Sequence, residues 1–322
     1  MKLENPDTPD TRNLNDRPDI MKKKCKQVKR TASASWRLPH SFAQKIRMNN
    51  SKTIGVIVPE INNDFFSTAI SGIEEVASQS GYLVLLCQSN ESYEKEVADI
   101  ILMIRDRVAG VIVSVSQNTK SGSHFNDLRK QNIPLVFFDR VCDDFTASNV
   151  KIDDYKSAFD AVAYLIGRGY KRIAHFAGPK ELGISEKRLK GYLDALGQSQ
   201  MLHTNLVFHG GLQERDGYKL MDSLVQSNTI PDAIFAVNDP VALGAYKRIK
   251  EAGLKIPNDV ALIGFSNNEF TTFTNPQMTT VDQPSFEMGR KSAEILIGTI
   301  EERIKDIKTL VLDTKLIIRG SA

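Results

Sequence analysis

The chain is poor in the residues that anchor covalent or metal chemistry. It has three cysteines, Cys25, Cys87 and Cys142. The number is odd and no C-x-x-C pair occurs, which argues against a disulfide framework and a zinc site and fits a reducing cytoplasm. The five histidines, His40, His124, His175, His203 and His209, show no metal-ligand spacing. There is no Walker loop, no G-x-G-x-x-G and no G-x-S-x-G. GGLQERDG (210–217) bears glycine but lacks the lysine a phosphate loop uses. His175 lies inside an apolar strand pattern and reads as a core histidine. No catalytic set, metal or cofactor is therefore expected. No apolar run approaches the roughly 18 residues a membrane helix needs. The first 19 residues are polar and rich in Asp and Pro, without the hydrophobic core of a secretory leader.

Acidic residues are missing from one long stretch. None occurs between Asp19 and Glu60, where ten basic residues do. Residues 1–52 carry 13 Lys and Arg against 5 Asp and Glu, while the whole chain has a net charge of only +3. A basic block of this kind is either a solubilising tail or an arm for a polyanion such as nucleic acid.

What is present is an alternation of strands and helices from residue 53 onward. Apolar runs at 53–59, 82–87, 110–114, 134–139, 172–178, 205–210, 233–238 and 260–266 read as strands buried on both faces of a parallel sheet. Between them lie segments with helical period. SAFDAVAYLIGRG (157–169) puts Ala158, Val162, Leu165 and Ile166 on one stripe and ends at Gly169. PVALGAYKRIKEAG (240–253) starts with Pro after Asp239, a cap-then-proline start, and ends at Gly253. Such alternation implies right-handed βαβ crossovers. About 270 residues exceed one hydrophobic core, so two similar α/β lobes are expected.

Six strings in order resemble the effector-binding core of the LacI/GalR (lactose-repressor) family of transcription regulators. They are TIGVIVPEINNDFFSTAISGIEEVA (53–77), LVFFDR (135–140), RIAHFAGP (172–179), SEKRLKGYLDAL (185–196), DAIFAVNDPVALGAYKRIKEAGLKIPNDVALIGFSNNEF (232–270) and PQMTTVDQPSFEMGRKSAEIL (276–296). The resemblance implies two doubly wound parallel-sheet lobes of periplasmic-binding-protein type, preceded by a basic N-terminal arm and a hinge helix. It implies crossovers near 152–153, 281–283 and 313–314. The first lobe is then 53–152 with 283–313, and the second 153–282 with 314–322. It further implies a small-molecule effector, most simply a sugar or derivative, held between the lobes of a homodimer that binds operator DNA. A solute-binding transport protein is the rival with the same lobes; a signal peptide and no hinge would mark it.

Each candidate ligand residue follows a strand or opens a helix, where ligands of open α/β sheets bind. Phe65 and Phe66 could stack on an apolar sugar face or a flat base, or pack in the core. Asp139 and Arg140 end one strand and could bond the ligand or pair with each other. Arg188 opens a helix, and its five fixed donors suit vicinal hydroxyls or a carboxylate. Asn238 offers a donor and an acceptor, with Asp239 expected to cap the helix. After VALIGF the family usually carries Asp-Asp; here stand Ser266 and Asn267. A neutral hydroxyl replaces a charged acceptor, so Asn267 or Gln283 would have to take over.

In the basic stretch, SFAQKIRMNNSKTIG (41–55) resembles the family's hinge segment. By that likeness Ser41, Ala43, Gln44, Lys45, Ile46 and Arg47 would contact DNA, Ile46 wedging between base steps and Lys45, Arg47 and Lys52 reaching phosphates. Residues 1–38 would be a degenerate DNA-binding region and 39–52 the hinge and linker. LNDRPDI (14–20) resembles the segment after a recognition helix, yet the 13 residues before it are too short and too polar for two helices. S-W-R-L-P stands where the family has L-G-Y-R-P. Specific recognition and salt-sensitive, sequence-blind binding both stay open.

Overall fold

The computed structural model describes residues 51–201 and 206–322. The arm at 1–38 and the hinge candidates from Ser41 to Arg47 lie outside the described residues.

Apolar runs pair into two six-stranded sheets. In the first lobe, β1 (Thr53–Val58), β2 (Leu83–Gln88), β3 (Gly110–Val113), β4 (Leu135–Phe138) and β5 (Ser148–Ile152) lie in the order β2-β1-β3-β4-β5, all parallel. In the second, β6 (Ile173–Ala177), β7 (Val207–His209), β8 (Ala233–Ala236), β9 (Ala261–Ser266) and β10 (Thr279–Asp282) repeat that order, again parallel. Two short strands from the C-terminal end finish the sheets. β11 (Thr309–Leu312) joins β5 in parallel and β12 (Lys315–Ile317) joins β10 antiparallel. A 2-1-3-4-5 order has its switch point between the second and third positions, and the crevice there takes ligand.

The helices are α1 (Asp64–Gln79), α2 (Tyr93–Arg105), α3 (Asn126–Lys130), α4 (Asp154–Gly167), α5 (Gly183–Gln198), α6 (Glu214–Gln226), α7 (Asp239–Glu251) and α8 (Ser285–Ile300). They pack in close pairs: α1 with α8, α4 with α5 and α6 with α7. The α1–α8 pair requires Gly289, because a Cβ there would overlap the backbone oxygen of Ala69. The chain leaves the first sheet after β5 for α4, returns from β10 through α8, and passes from β11 to β12. Three strands of chain thus join the lobes.

Two differences from the sequence expectation have a common cause. β2 and β7 are half-exposed rather than buried on both faces. Both are edge strands, covered on one side only. Conversely β5, β10, β11 and β12 were absent from the apolar runs. β5 and β11 alternate in burial and carry only two or three inward side chains each, too short a signal for a run of apolar residues.

Candidate functional site

The turns after β1, β4, β6, β8, β9 and β10 meet between the lobes. Asn63, Phe65, Phe66, Asp139, Arg140, Ile184, Arg188, Leu212, Asn238, Pro240, Ser266 and Gln283 line one cleft. All eight sequence-selected ligand candidates are among them. The cleft encloses about 30 Å³, room for about two waters.

The first wall begins at Asn63, whose side-chain oxygen accepts from Phe65 N at 3.0 Å and caps α1. That cap aims Phe65 and Phe66 at the cleft as an edge-to-face pair, centroids 5.2 Å apart. Both rings are well buried, at 6% and 2% exposure, and pack in the core while lining the cleft. Arg140 bonds Glu91 through both carboxylate oxygens at 2.9 Å and lies over the Phe66 ring. Its Nε is 3.8 Å from Asp139 Oδ2 and makes no hydrogen bond. The expected Asp139–Arg140 pairing is therefore loose, and Glu91 is the true partner. Asp139 has φ 59°. Burial pushes its carboxyl up to about 6, against the opposing pull of Arg140.

The second wall is built around Arg188. Its Nε and Nη2 bond Asp154 Oδ1 at 2.8 and 2.7 Å, and its Nη1 donates to Val237 O at 2.6 Å. The guanidinium stacks 3.6 Å from the Phe265 ring centre. Both Arg188 and Asp154 are buried, and burial raises the Asp154 carboxyl despite its partner. Only two of the five Arg188 N–H groups are left for a ligand.

The helix cap expected at Asp239 is made by Asn238. Asn238 is the cap of α7, accepting from Val241 N at 2.9 Å while its amide donates to Leu212 O at 2.9 Å. Asp239 lies wholly buried beneath the strand ends, bonding Thr280 Oγ1 at 2.6 Å and Asn268 N at 2.8 Å. Burial raises its carboxyl to about 6. The Asp239 carboxylate, which only accepts, is drawn under the sheet by two donors, leaving the cap to its neighbour.

Asn267 does not serve the cleft. Its amide donates to Asp282 at 2.8 Å and its oxygen accepts from Arg319 at 2.7 Å. Gln283 lines the cleft instead, its Oε1 accepting from Ser266 Oγ at 2.9 Å. Asp154, Glu91, Leu212 and Ile184 were not singled out from sequence. A second acidic residue at a helix start (Asp153-Asp154) was the one available hint.

The remaining ionisable groups are structural. His175 is sandwiched between Tyr192 and Phe235 and donates to Phe235 O at 2.9 Å. Burial lowers its pKa to about 4. Burial likewise raises Cys87 to about 11 and Cys142 to about 12, so neither is a ready thiolate. Among the described residues no cluster could hold a metal ion, and no helix is long and apolar enough to cross a membrane.

Paired lobes with one polar cleft define a two-lobed protein of periplasmic-binding-protein type. The profile of the periplasmic binding protein-like domain family matches residues 162–322. The HTH-type transcriptional repressor CytR of Escherichia coli K12 is 34% identical, over 92% of this chain and 86% of its own length. Among solved structures, a LacI family regulator from Enterococcus faecium with bound ribose is 28% identical, with a TM-score of 0.76, covering 84% of this chain and 98% of that one. The CelR–cellobiose complex is 26% identical, with a TM-score of 0.77, covering 97% and 94%. The chain belongs to the LacI/GalR family of transcriptional regulators.

Proposed function

We propose that this chain is a cytoplasmic, effector-controlled transcriptional regulator that senses a sugar or sugar derivative in the interlobe cleft and acts on operator DNA as a homodimer. The observation that carries the reading is the convergence of Phe65, Phe66, Asp139, Arg140, Arg188, Asn238, Ser266 and Gln283 on one cleft fed by both lobes. Aromatic edges beside clustered polar groups suit a ring with an apolar face and hydroxyl rim. Ribose and cellobiose in the two structural neighbours support the carbohydrate class. The relatives named above are transcriptional regulators, which supports binding as the output of the site. Ligand acts by its difference in affinity between two lobe arrangements, which residues 41–47 would relay to DNA.

Two measurements test this. A thermal-shift panel of pentoses, hexoses and disaccharides, ribose and cellobiose included, should return at least one sugar that raises the melting temperature. Fluorescence anisotropy should show tighter binding to a palindromic operator than to random duplex at two salt concentrations, with that sugar changing the difference. Equal affinity for both duplexes would mean that specific recognition is gone, and no binding to either would leave a DNA-independent sugar sensor. Loss of the sugar on prolonged incubation would reveal an enzyme.

A further inference from the structure

Five charged side chains gather near the seam, and their charges do not sum to zero. Asp139 follows β4 in the first lobe and is 8% exposed. From its own turn Arg140 approaches to 3.8 Å, but that guanidinium bonds both oxygens of Glu91. From the second lobe Arg188 on α5 and Asp154 on α4 act on it, but Arg188 is bonded to Asp154. Gln283, between β10 and α8, contributes a hydrogen bond and no charge. Three carboxylates thus share two guanidiniums, and one negative charge is left over. Lys187 and Asp153 act on Asp154 from outside the group and oppose each other.

We propose that closing the lobes takes up a proton at Asp139, so that this regulator reads acidity together with its effector. This rests on the sugar-sensing reading above and adds a second input to it. The surplus charge is unfavourable only while both walls enclose it. With the lobes apart, water reaches Asp139 and the Arg188–Asp154 pair withdraws, so the carboxyl returns toward the ordinary Asp value of about 3.9. With the lobes together, burial and then Asp154 favour the neutral form against Arg140 and Arg188, and the carboxyl stands at about 6. Protonated, it keeps an oxygen to accept from Gln283 and gains an O–H for the solute. Asp239 is also raised to about 6, but its partners Thr280 and Asn268 belong to its own lobe, so closure leaves it unchanged.

A group whose pKa is higher in the closed arrangement holds more protons there. Affinity for a solute that selects that arrangement therefore rises as pH falls. Between a closed value of about 6 and an open value of about 3.9, closure takes up about half a proton at pH 6 and almost none at pH 7.5. Over the same span, affinity at pH 5 is about tenfold that at pH 7.5.

The test is isothermal titration of the full chain with D-ribose, D-xylose, D-glucose, D-galactose and cellobiose, none of which titrates between pH 5 and pH 7.5. Repeating it for whichever sugar binds, in phosphate and in imidazole buffer at pH 6 and pH 7.5, separates the proton count from the heat of binding. Wild type should take up about half a proton per chain at pH 6 and almost none at pH 7.5, with a dissociation constant about tenfold lower at pH 5 than at pH 7.5. Asp139→Asn and Asp154→Asn each bring the charges into balance. Uptake at pH 6 should fall to about zero in both, although Asp154→Asn leaves Asp139 in place. A wild-type affinity that does not change with pH overturns the proposal, whether or not the variants bind sugar. Uptake that survives in either variant also overturns it. If no sugar binds wild type, the carbohydrate reading itself fails and the proton coupling with it.

Discussion

Replacing Arg188 with Met should destabilise the protein by an amount that depends on pH. Arg188 and Asp154 are 2% and 3% exposed, so the substitution leaves a buried carboxylate with no counter-ion. Such losses are commonly about 3–5 kcal/mol. The carboxylate can, however, escape by taking a proton. Each pH unit above the ordinary Asp pKa of about 3.9 costs about 1.36 kcal/mol of protonation free energy. The charge penalty is therefore capped at about 4 kcal/mol at pH 7 and about 1.5 at pH 5. The Val237 carbonyl, which loses its donor, adds about 1–3 kcal/mol at either pH.

In the variant the folded-state pKa of Asp154 stands further above its unfolded value. Such a group holds more protons folded than unfolded, so stability rises as pH falls. Urea unfolding of both proteins at pH 7 and pH 5 should show the difference between them shrink by up to about 2.7 kcal/mol at the lower pH. Asp139 feels Arg188 weakly and shifts in the same direction, reinforcing the trend. Adding Asp154→Asn should flatten it. An Arg188→Met penalty equal at both pH values would refute the claim that Asp154 is the stranded charge.

Three further outcomes are expected. Asp139→Asn removes a carboxyl raised to about 6 by burial among Arg140, Arg188, Asp154 and Gln283. It should stabilise the protein by up to about 3 kcal/mol above pH 6 and scarcely at all near pH 4, while weakening effector binding; a variant less stable than wild type at pH 7 speaks against it. Glu60 accepts from Gln213 Nε2 at 2.7 Å across the lobes. Glu60→Ala should weaken effector affinity about two- to tenfold without touching the ligand, and an unchanged dissociation constant means this bond does not bias closure. Gly289→Ala drives a methyl into the Ala69 backbone and should lower stability by about 1–3 kcal/mol, read as a melting temperature roughly 3–10 °C lower. An unchanged melting curve would show that α1 and α8 separate freely.

The cleft was legible because its residues follow strands. Asp139, Asn238 and Ser266 each end an apolar run and Phe65 follows one, and in this topology such points open on one crevice. Partnerships across long separations were not legible. Arg188 finds Asp154 34 residues earlier, and Arg140 finds Glu91 49 residues earlier. No local pattern announces either pair. That Asn238 rather than Asp239 caps α7 was hidden for a similar reason. It is set by Thr280 and Asn268, which arrive from other strands. The four missed strands are short and each includes polar residues (SNVKI, TTVD, TLVL, KLI), so none reads as an apolar run.

The distribution of charge bears on how the cleft works. Arg140 is balanced by Glu91 within the first lobe, and Arg188 by Asp154 within the second. Each lobe therefore carries its own compensated ion pair, and parting the lobes strands neither. The Arg140 Nε remains uncommitted near the seam, beside Asp139 and the Gln283 amide. Among the described residues, Glu60–Gln213 is a direct wall-to-wall bond, and a partly exposed one, worth about 1 kcal/mol. That bond alone gives the closed arrangement little bias over an open one, so a modest difference in ligand affinity offsets it. A solute that satisfies the uncommitted groups gains that energy only when both walls reach it, so its affinity difference between the two arrangements is large where the protein's own preference is small.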